Sequence, residues 1–294
     1  MKRTIKCRNE DGVEVTFGSA FTPFLLERCD GIYSVENDVA LSENPMTDGA
    51  TMQGAKTKIR NIVLYLCDHP KSDHKENRQL LYSLFKPNAM GTLFYREKPD
   101  AEEYAISYTP ETILPDGDGN CRKFTVSLLC PDPFFTAPNE ISVTIAGWQP
   151  KFRFPHRFPA NGEPIGIRVN EKLKTILNTS AADNIGIAIR ITAFGNVVNP
   201  SIYHVEQGEH ITVGTSGKPF AMSMGDMVTI TTGIENKHVY LLRNGECVES
   251  NAYLSEESEF LQLNRGANTF GYLAQSGSEN MAVTISYRYR YLGV

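Results

Sequence analysis

Three groups of residues have types and spacings that could support chemistry. Cys67, Asp68, His69 and His74 crowd one short stretch, and a thiol, a carboxylate and two imidazoles are donors that transition metals accept. Their spacing follows no common zinc pattern, so the expectation is a polar loop leading to a capped helix, with no metal and no cofactor. Glu256, Glu257 and Glu259 suggest the paired carboxylates of a glycosidase, which must face each other across the bond they cleave. Residues adjacent in sequence rarely do so. With Ser255 and Ser258 they are expected to form a solvated loop before Phe260-Leu261-Gln262-Leu263. Ser, His and Asp residues occur without a GxSxG elbow or comparable framed nucleophile, so no catalytic residue is assigned and the chain reads as a non-enzyme. Trp148, the only tryptophan, precedes Lys151-Phe152-Arg153-Phe154-Pro155-His156-Arg157-Phe158, an alternation suited to stacking on bases or sugars. A strand packing its aromatic face inward shows the same alternation. That reading is adopted, with interdomain packing as the use of Trp148.

The elements that must position these residues are mostly strands. Residues 13–17, Val-Glu-Val-Thr-Phe, alternate apolar and polar side chains as a half-buried strand does. Ile59 to Leu66 is more continuously apolar and predicts a central strand covered on both faces, with a turn at Thr47-Asp48-Gly49-Ala50 between the two. One helix is expected, with Asp73 as its cap, Glu76 completing a capping box, and an apolar stripe of Leu80, Leu81, Leu84 and Phe85. Pro87, Asn88 and Gly91 end it before the strand Thr92–Tyr95. Strand patterns at Tyr104–Tyr108 and Arg122–Leu129 flank the turn formers of residues 115–120, which predict a long hairpin tip. Pro131 and Pro133 then interrupt the ladder, placing a domain boundary just beyond Phe135.

After residue 145 the spacing predicts a weak helix around Glu171 to Leu177. Otherwise short strands recur at Ile185–Phe194, His210–Val213, Met227–Thr232, His238–Leu242 and Ala282–Tyr291, as in a β-sandwich. Asn244-Gly245 is the strongest hairpin signal among the turns.

Composition narrows the function. The 294 residues suffice for two domains, and 41% hydrophobic with 21% charged residues is the composition of folded proteins. No apolar run is long enough to span a bilayer, and the start carries no signal core, so synthesis in the cytoplasm is expected, without a membrane partner. The six cysteines form no CxxC pair and are expected to be reduced and partly buried. A net charge of −5 without a basic cluster argues against tight nucleic-acid binding.

An ordered series of motifs resembles one known family. It runs through Gly31-Ile32-Tyr33-Ser34-Val35, Asp48-Gly49-Ala50, the apolar strand at Ile62, the helix end Phe85-Lys86-Pro87, the strand Gly91–Tyr95, and Leu129-Cys130-Pro131-Asp132-Pro133-Phe134-Phe135. It continues with Gly195, Asn199-Pro200-Ser201-Ile202, Gly225-Asp226, Gly266-Ala267-Asn268 and Tyr291-Leu292-Gly293-Val294. The series resembles the distal tail proteins of long-tailed phages over almost the whole chain. The resemblance implies a mainly β fold with one short helix: a ring-forming, barrel-like belt domain at residues 1–140 and a galectin-like β-sandwich at residues 146–294. It further implies a hexameric ring at the virion tail tip, made in the bacterial host, that binds the tail tube protein on one face and a lysin-type tail-tip protein on the other while leaving a channel for DNA. The rival expectation is a carbohydrate-binding module whose second half grips a host surface glycan.

Overall fold

Alternating side chains give most strands one buried and one open face, and those faces define two separate cores. The computed structural model describes residues 3–18, 22–43, 46, 48–69, 73–116, 122–150, 166–180, 182–234 and 236–294. Two compact units emerge: Met1–Pro138 together with Arg290–Val294, and Asn139–Tyr289. The last five residues thus run with the first unit, where the sequence suggested they would end the second.

The first unit contains β1 (Thr4–Asn9), β2 (Glu14–Phe17), β3 (Phe24–Asp30), β4 (Asn37–Glu43), β5 (Ala50–Thr57), β6 (Arg60–Asp68), helix α1 (His74–Leu84), β7 (Gly91–Arg96), β8 (Tyr104–Asp116), β9 (Lys123–Cys130) and β10 (Phe135–Thr136). Seven of these strands close into a barrel in the order β8-β7-β1-β2-β3-β6-β9, because β8 also pairs with β9. Closure works through a division of β8: Tyr104–Tyr108 pair with β7 and Thr109–Asp116 with β9, with a register shift between Pro110 and Thr112. A bulge at a proline, which has no N–H to donate, lets the strand turn from one neighbour to the next. All barrel pairings are antiparallel except β2 with β3, which meet only at Phe17 and Phe24. The interior is aromatic: Phe17 lies 5.8 Å from Phe24 and 6.3 Å from Phe85 between ring centroids, and Phe124 meets Phe24 edge-on at 6.4 Å.

Two expectations for this unit need correction. Strand β6 is covered on one face only. Arg60, Ile62, Leu64, Leu66 and Asp68 are buried, whereas Asn61 is exposed and Val63, Tyr65 and Cys67 are partly so. The apolar outer residues are explained by local cover: Tyr65, for example, lies under the Arg28 guanidinium at 5.3 Å. Around the expected turn at 47–50 there are also two strands, β4 and β5, that the polar sequence concealed.

The second unit contains β11 (Ile141–Pro150), β12 (Gly166–Asn170), β13 (Leu173–Asn178), β14 (Ile185–Ala193), β15 (Val197–His204), β16 (Glu209–Thr212), β17 (Ala221–Met222), β18 (Met227–Gly233), β19 (Asn236–Arg243), β20 (Glu246–Glu249), β21 (Gln262–Leu263), β22 (Gly266–Ser276) and β23 (Met281–Tyr287). One sheet runs β12-β11-β23-β14-β18-β19-β20 with β21 beside β14; the other runs β13-β22-β15-β16 with β17 beside β15. Ile187, Ile189 and Ile191 on the first sheet and Ile202, Ile211 and Phe270 on the second are buried. With only single 3-10 turns as helical cover among the described residues, the two sheets cover each other as a sandwich. The expected helix at 171–177 is strand β13, paired in register with Gly266–Gly271. Burial of Ile176 and Asn178 against exposure of Leu173, Thr175 and Leu177 shows a period of two, and pairing with β22 overrides the weak local helix preference. The Asn244-Gly245 turn has positive φ at both residues, 52° and 84°, as a type I′ hairpin requires.

Candidate assembly interface

The most unusual surface of the first unit is the ribbon of β4 and β5, which among the described residues pair with each other and with no other strand. Every residue of β4 is exposed, and so is every residue of β5 but the last. Leu41 pairs with Met52 and Val39 with Ala55, so these four share one face of the ribbon. Val39 is 45%, Leu41 60% and Met52 61% exposed. An isolated two-stranded ribbon is marginal in water, and an open apolar stripe with two free edges is a site for pairing.

Helix α1 forms where Asp73 was expected to cap it: the Asp73 carboxylate accepts from Lys75 N at 2.8 Å and Glu76 N at 3.2 Å. The described bonds include no return contact from the Glu76 side chain. Leu81, Leu84 and Phe85 are buried and Leu80 packs against the same core. The candidate metal donors separate around this helix. Asp68, 1% exposed, binds the His74 ring through Nδ1 and accepts from Asn77 Nδ2 at 3.2 Å. Asn77 also donates to Pro23 O. Cys67 faces the other side of β6, as strand alternation requires, and the His69 amide donates to Pro23 O. Among the described residues no three His, Cys, Asp or Glu side chains gather as a donor set. The Asp68–His74–Asn77 cluster therefore pins α1 to the end of β6. Asn77 carried no signal in the sequence, since a polar residue on a helix normally faces water.

Arg60 also escaped sequence reading. Its buried guanidinium donates through Nε to Pro133 O at 2.8 Å, through one terminal nitrogen to Gly31 O at 2.7 Å and Ile32 O at 2.8 Å, and through the other to Leu292 O. Its plane lies 5.1 Å from the Phe135 ring. This clamp, the short β24 (Arg290–Tyr291) paired with β10, and the Arg290–Asp132 ion pair hold the end of the chain in the first unit. Gly31 is required here: its φ is +89°, and a Cβ would lie 2.0 Å from Asn61 O.

In the second unit Glu256 and Glu257 line one groove, whereas Glu259 lines a different depression with Lys237 and Phe260. Their loop is stapled to β16 by Ser258, whose hydroxyl accepts from Thr212 N at 3.0 Å and donates to Thr212 O at 3.2 Å. Trp148 sits on β11 in register with Arg168, but its side chain and residues 151–158 lie outside the described part of the structure.

With the barrel, the ribbon and the sandwich in view, comparison with known proteins is informative. Residues 181–291 match the family described as siphovirus-type tail component, C-terminal domain. No curated protein sequence matches. The crystal structure of SPP1 Dit (gp 19.1), described as a paradigm of the hub adsorption apparatus in phages infecting Gram-positive bacteria, superposes with a TM-score of 0.66 at 14% identity, covering 98% of this chain and 99% of that one. The phage P2 baseplate, solved in its activated conformation with calcium, contains a chain that superposes with a TM-score of 0.55 at 10% identity and full coverage of both. The strontium form of that baseplate gives 0.54 at 9% identity, covering 99% of each chain. Residues 181–291 are thus similar to the C-terminal domain of siphovirus-type tail components. Over nearly its whole length the chain has the fold of SPP1 Dit, the barrel unit included.

Proposed function

We propose that the protein is the ring-shaped hub at the distal end of a long phage tail, joining the tail tube protein to a lysin-type tail-tip protein and leaving a channel for DNA. The observation that carries this reading is the exposed β4–β5 ribbon. A closed ring needs a heterologous contact, one patch of each subunit fitting a different patch of the next. An apolar stripe on a protruding ribbon meets that need, and docking on a second copy of the chain would cover Val39, Leu41 and Met52. Residues 1–140 with the returning C-terminus act as the ring-forming domain, and residues 146–294 as a separate sandwich domain. The net charge of −5 suits a lumen that passes DNA without holding it, since each cationic phosphate contact would add salt-dependent adhesion. The role is structural, with no reaction, cofactor or membrane partner, and its place is the virion tail tip after synthesis in the host cytoplasm.

The test uses the full chain, because residues 290–294 complete the first unit. Native mass spectrometry should find a closed oligomer, six copies by this reading, at a multiple of the 32.8 kDa chain mass. The double substitution Leu41→Glu, Met52→Glu should leave a folded monomer. A variant that assembles as well as the unaltered chain would overturn the ribbon's role.

A further inference from the structure

We infer that the second unit carries a binding groove for a neutral oligosaccharide on the outer face of the β13-β22-β15-β16 sheet. The inference concerns this unit alone and holds whether or not the first unit closes a ring. The groove encloses about 890 Å³, within the size range of pockets that take small ligands.

Its floor is set by strand register. Ser201 of β15 lies between Thr212 of β16 and Leu273 of β22. The Ser201 and Thr212 hydroxyls are bonded to one another at 2.7 Å. Farther along β22, Gln275 accepts from Asn199 Nδ2 at 2.6 Å, which leaves its amide nitrogen an unused donor among the described residues. The walls are the loops at 214–218 and 252–257, and they are tied together. Gly214 N donates to Tyr253 O at 2.7 Å, and Lys218 Nζ donates to Ala252 O at 2.9 Å while standing 4.4 Å over the Tyr253 ring. The groove is therefore formed in advance of any ligand, which lowers the ordering cost of binding.

The exposed groups match a sugar in kind. A pyranose offers hydroxyls that donate and accept, together with an apolar C–H face. Against the hydroxyls stand the Ser201–Thr212 pair, the Gln275 amide, and the Glu256 and Glu257 carboxylates, which have no hydrogen-bond or ion-pair partner among the described residues. Against the C–H face stand Leu273, 59% exposed, and, next to the groove, Tyr203, which pairs with the groove residue His210. Tyr203 lies two residues along β15 from Ser201 and so on the same face. Its ring covers Gly271 so closely that a Cβ there would come within 2.2 to 2.4 Å of ring atoms, an arrangement that lays an aromatic platform along the sheet. Charge selects the sugar class: two unpaired carboxylates against one lysine already held by Ala252 oppose sialylated or phosphorylated chains.

The experiment is calorimetric titration of the intact protein with oligosaccharides of glucose, galactose and N-acetylglucosamine, with sialyllactose as the acidic control. At least one neutral probe should bind. Tyr203→Ala and Glu257→Gln should each weaken that binding by about tenfold with unchanged circular dichroism, whereas Glu279→Gln, an exposed site off the groove, should not. The inference fails if no neutral probe binds at about 10 mM, if the Tyr203 and Glu257 variants bind as the unaltered chain does, or if sialyllactose binds as tightly as the neutral sugars.

Discussion

Replacing Arg60 should unfasten the chain end from the barrel unit. The buried guanidinium serves four backbone carbonyls, those of Gly31, Ile32, Pro133 and Leu292. Burial works against its charge and lowers its pKa, so the hydrogen bonds must offset that penalty. Arg60→Ala removes all four bonds and leaves carbonyls that partly lose access to any donor, at about 1–3 kcal/mol for each one left unsatisfied. Loss of the buried charge and entry of water offset part of that sum, and about 3–5 kcal/mol is the expected net cost of the carbonyls left short of donors. The Leu292 bond is separable. Deleting residues 290–294 removes that acceptor together with β24, so a double-mutant cycle between Arg60→Ala and the deletion isolates their coupling. One hydrogen bond to a charged group predicts a coupling of about 1.5–3 kcal/mol. Urea denaturation of the four proteins measures it. An Arg60→Ala cost under about 1 kcal/mol, or additive effects in the cycle, would refute the clamp.

Other outcomes follow from the same geometry. Leu84 is fully buried, so Leu84→Ala should cost about 2–5 kcal/mol, against roughly 0.5–2 kcal/mol for Asp73→Ala at the cap; urea midpoints decide both. Gly31→Ala should cost roughly 2–5 kcal/mol by combining left-handed strain with overpacking against Asn61, read as a lowered Tm. His204 is buried and stacked on Phe270 at 4.6 Å; neither ring nitrogen makes a hydrogen bond among the described residues, although Nε2 lies 3.4 Å from Glu206 Oε2. Burial lowers its pKa against the opposing pull of Glu206 and Glu209. Because the folded value is depressed, its contribution to stability is complete above the unfolded value of about 6.5 and is lost as pH falls from there through the folded pKa. Glu206 and Asp226, also depressed, lose theirs only below the ordinary carboxylate range. Between about pH 6.5 and 5 the urea midpoint should therefore drop in the native chain and drop less in His204→Phe.

Much of the local structure was legible because it is written in local patterns. The alternation that buries Val15 and Phe17, the cap at Asp73 with the stripe through Leu81 and Leu84, and the Asn244-Gly245 turn depend on residues a few positions apart. The family resemblance drew on turn and strand-end motifs of the same kind. Tertiary structure alone decided the rest. Strand β13 is a strand because β22 offers it a register, and β4 and β5 are strands although nearly every residue in them is exposed. The same long-range choice returns Arg290–Tyr291 to β10 and turns Arg60 and Asn77 inward. It also gathers the groove from residues as far apart as Asn199 and Gln275. The physical reason is that periodicity records which face of an element is buried, whereas the partner that buries it is chosen by contacts distant in sequence, and a polar side chain discloses its inward direction only when those contacts exist.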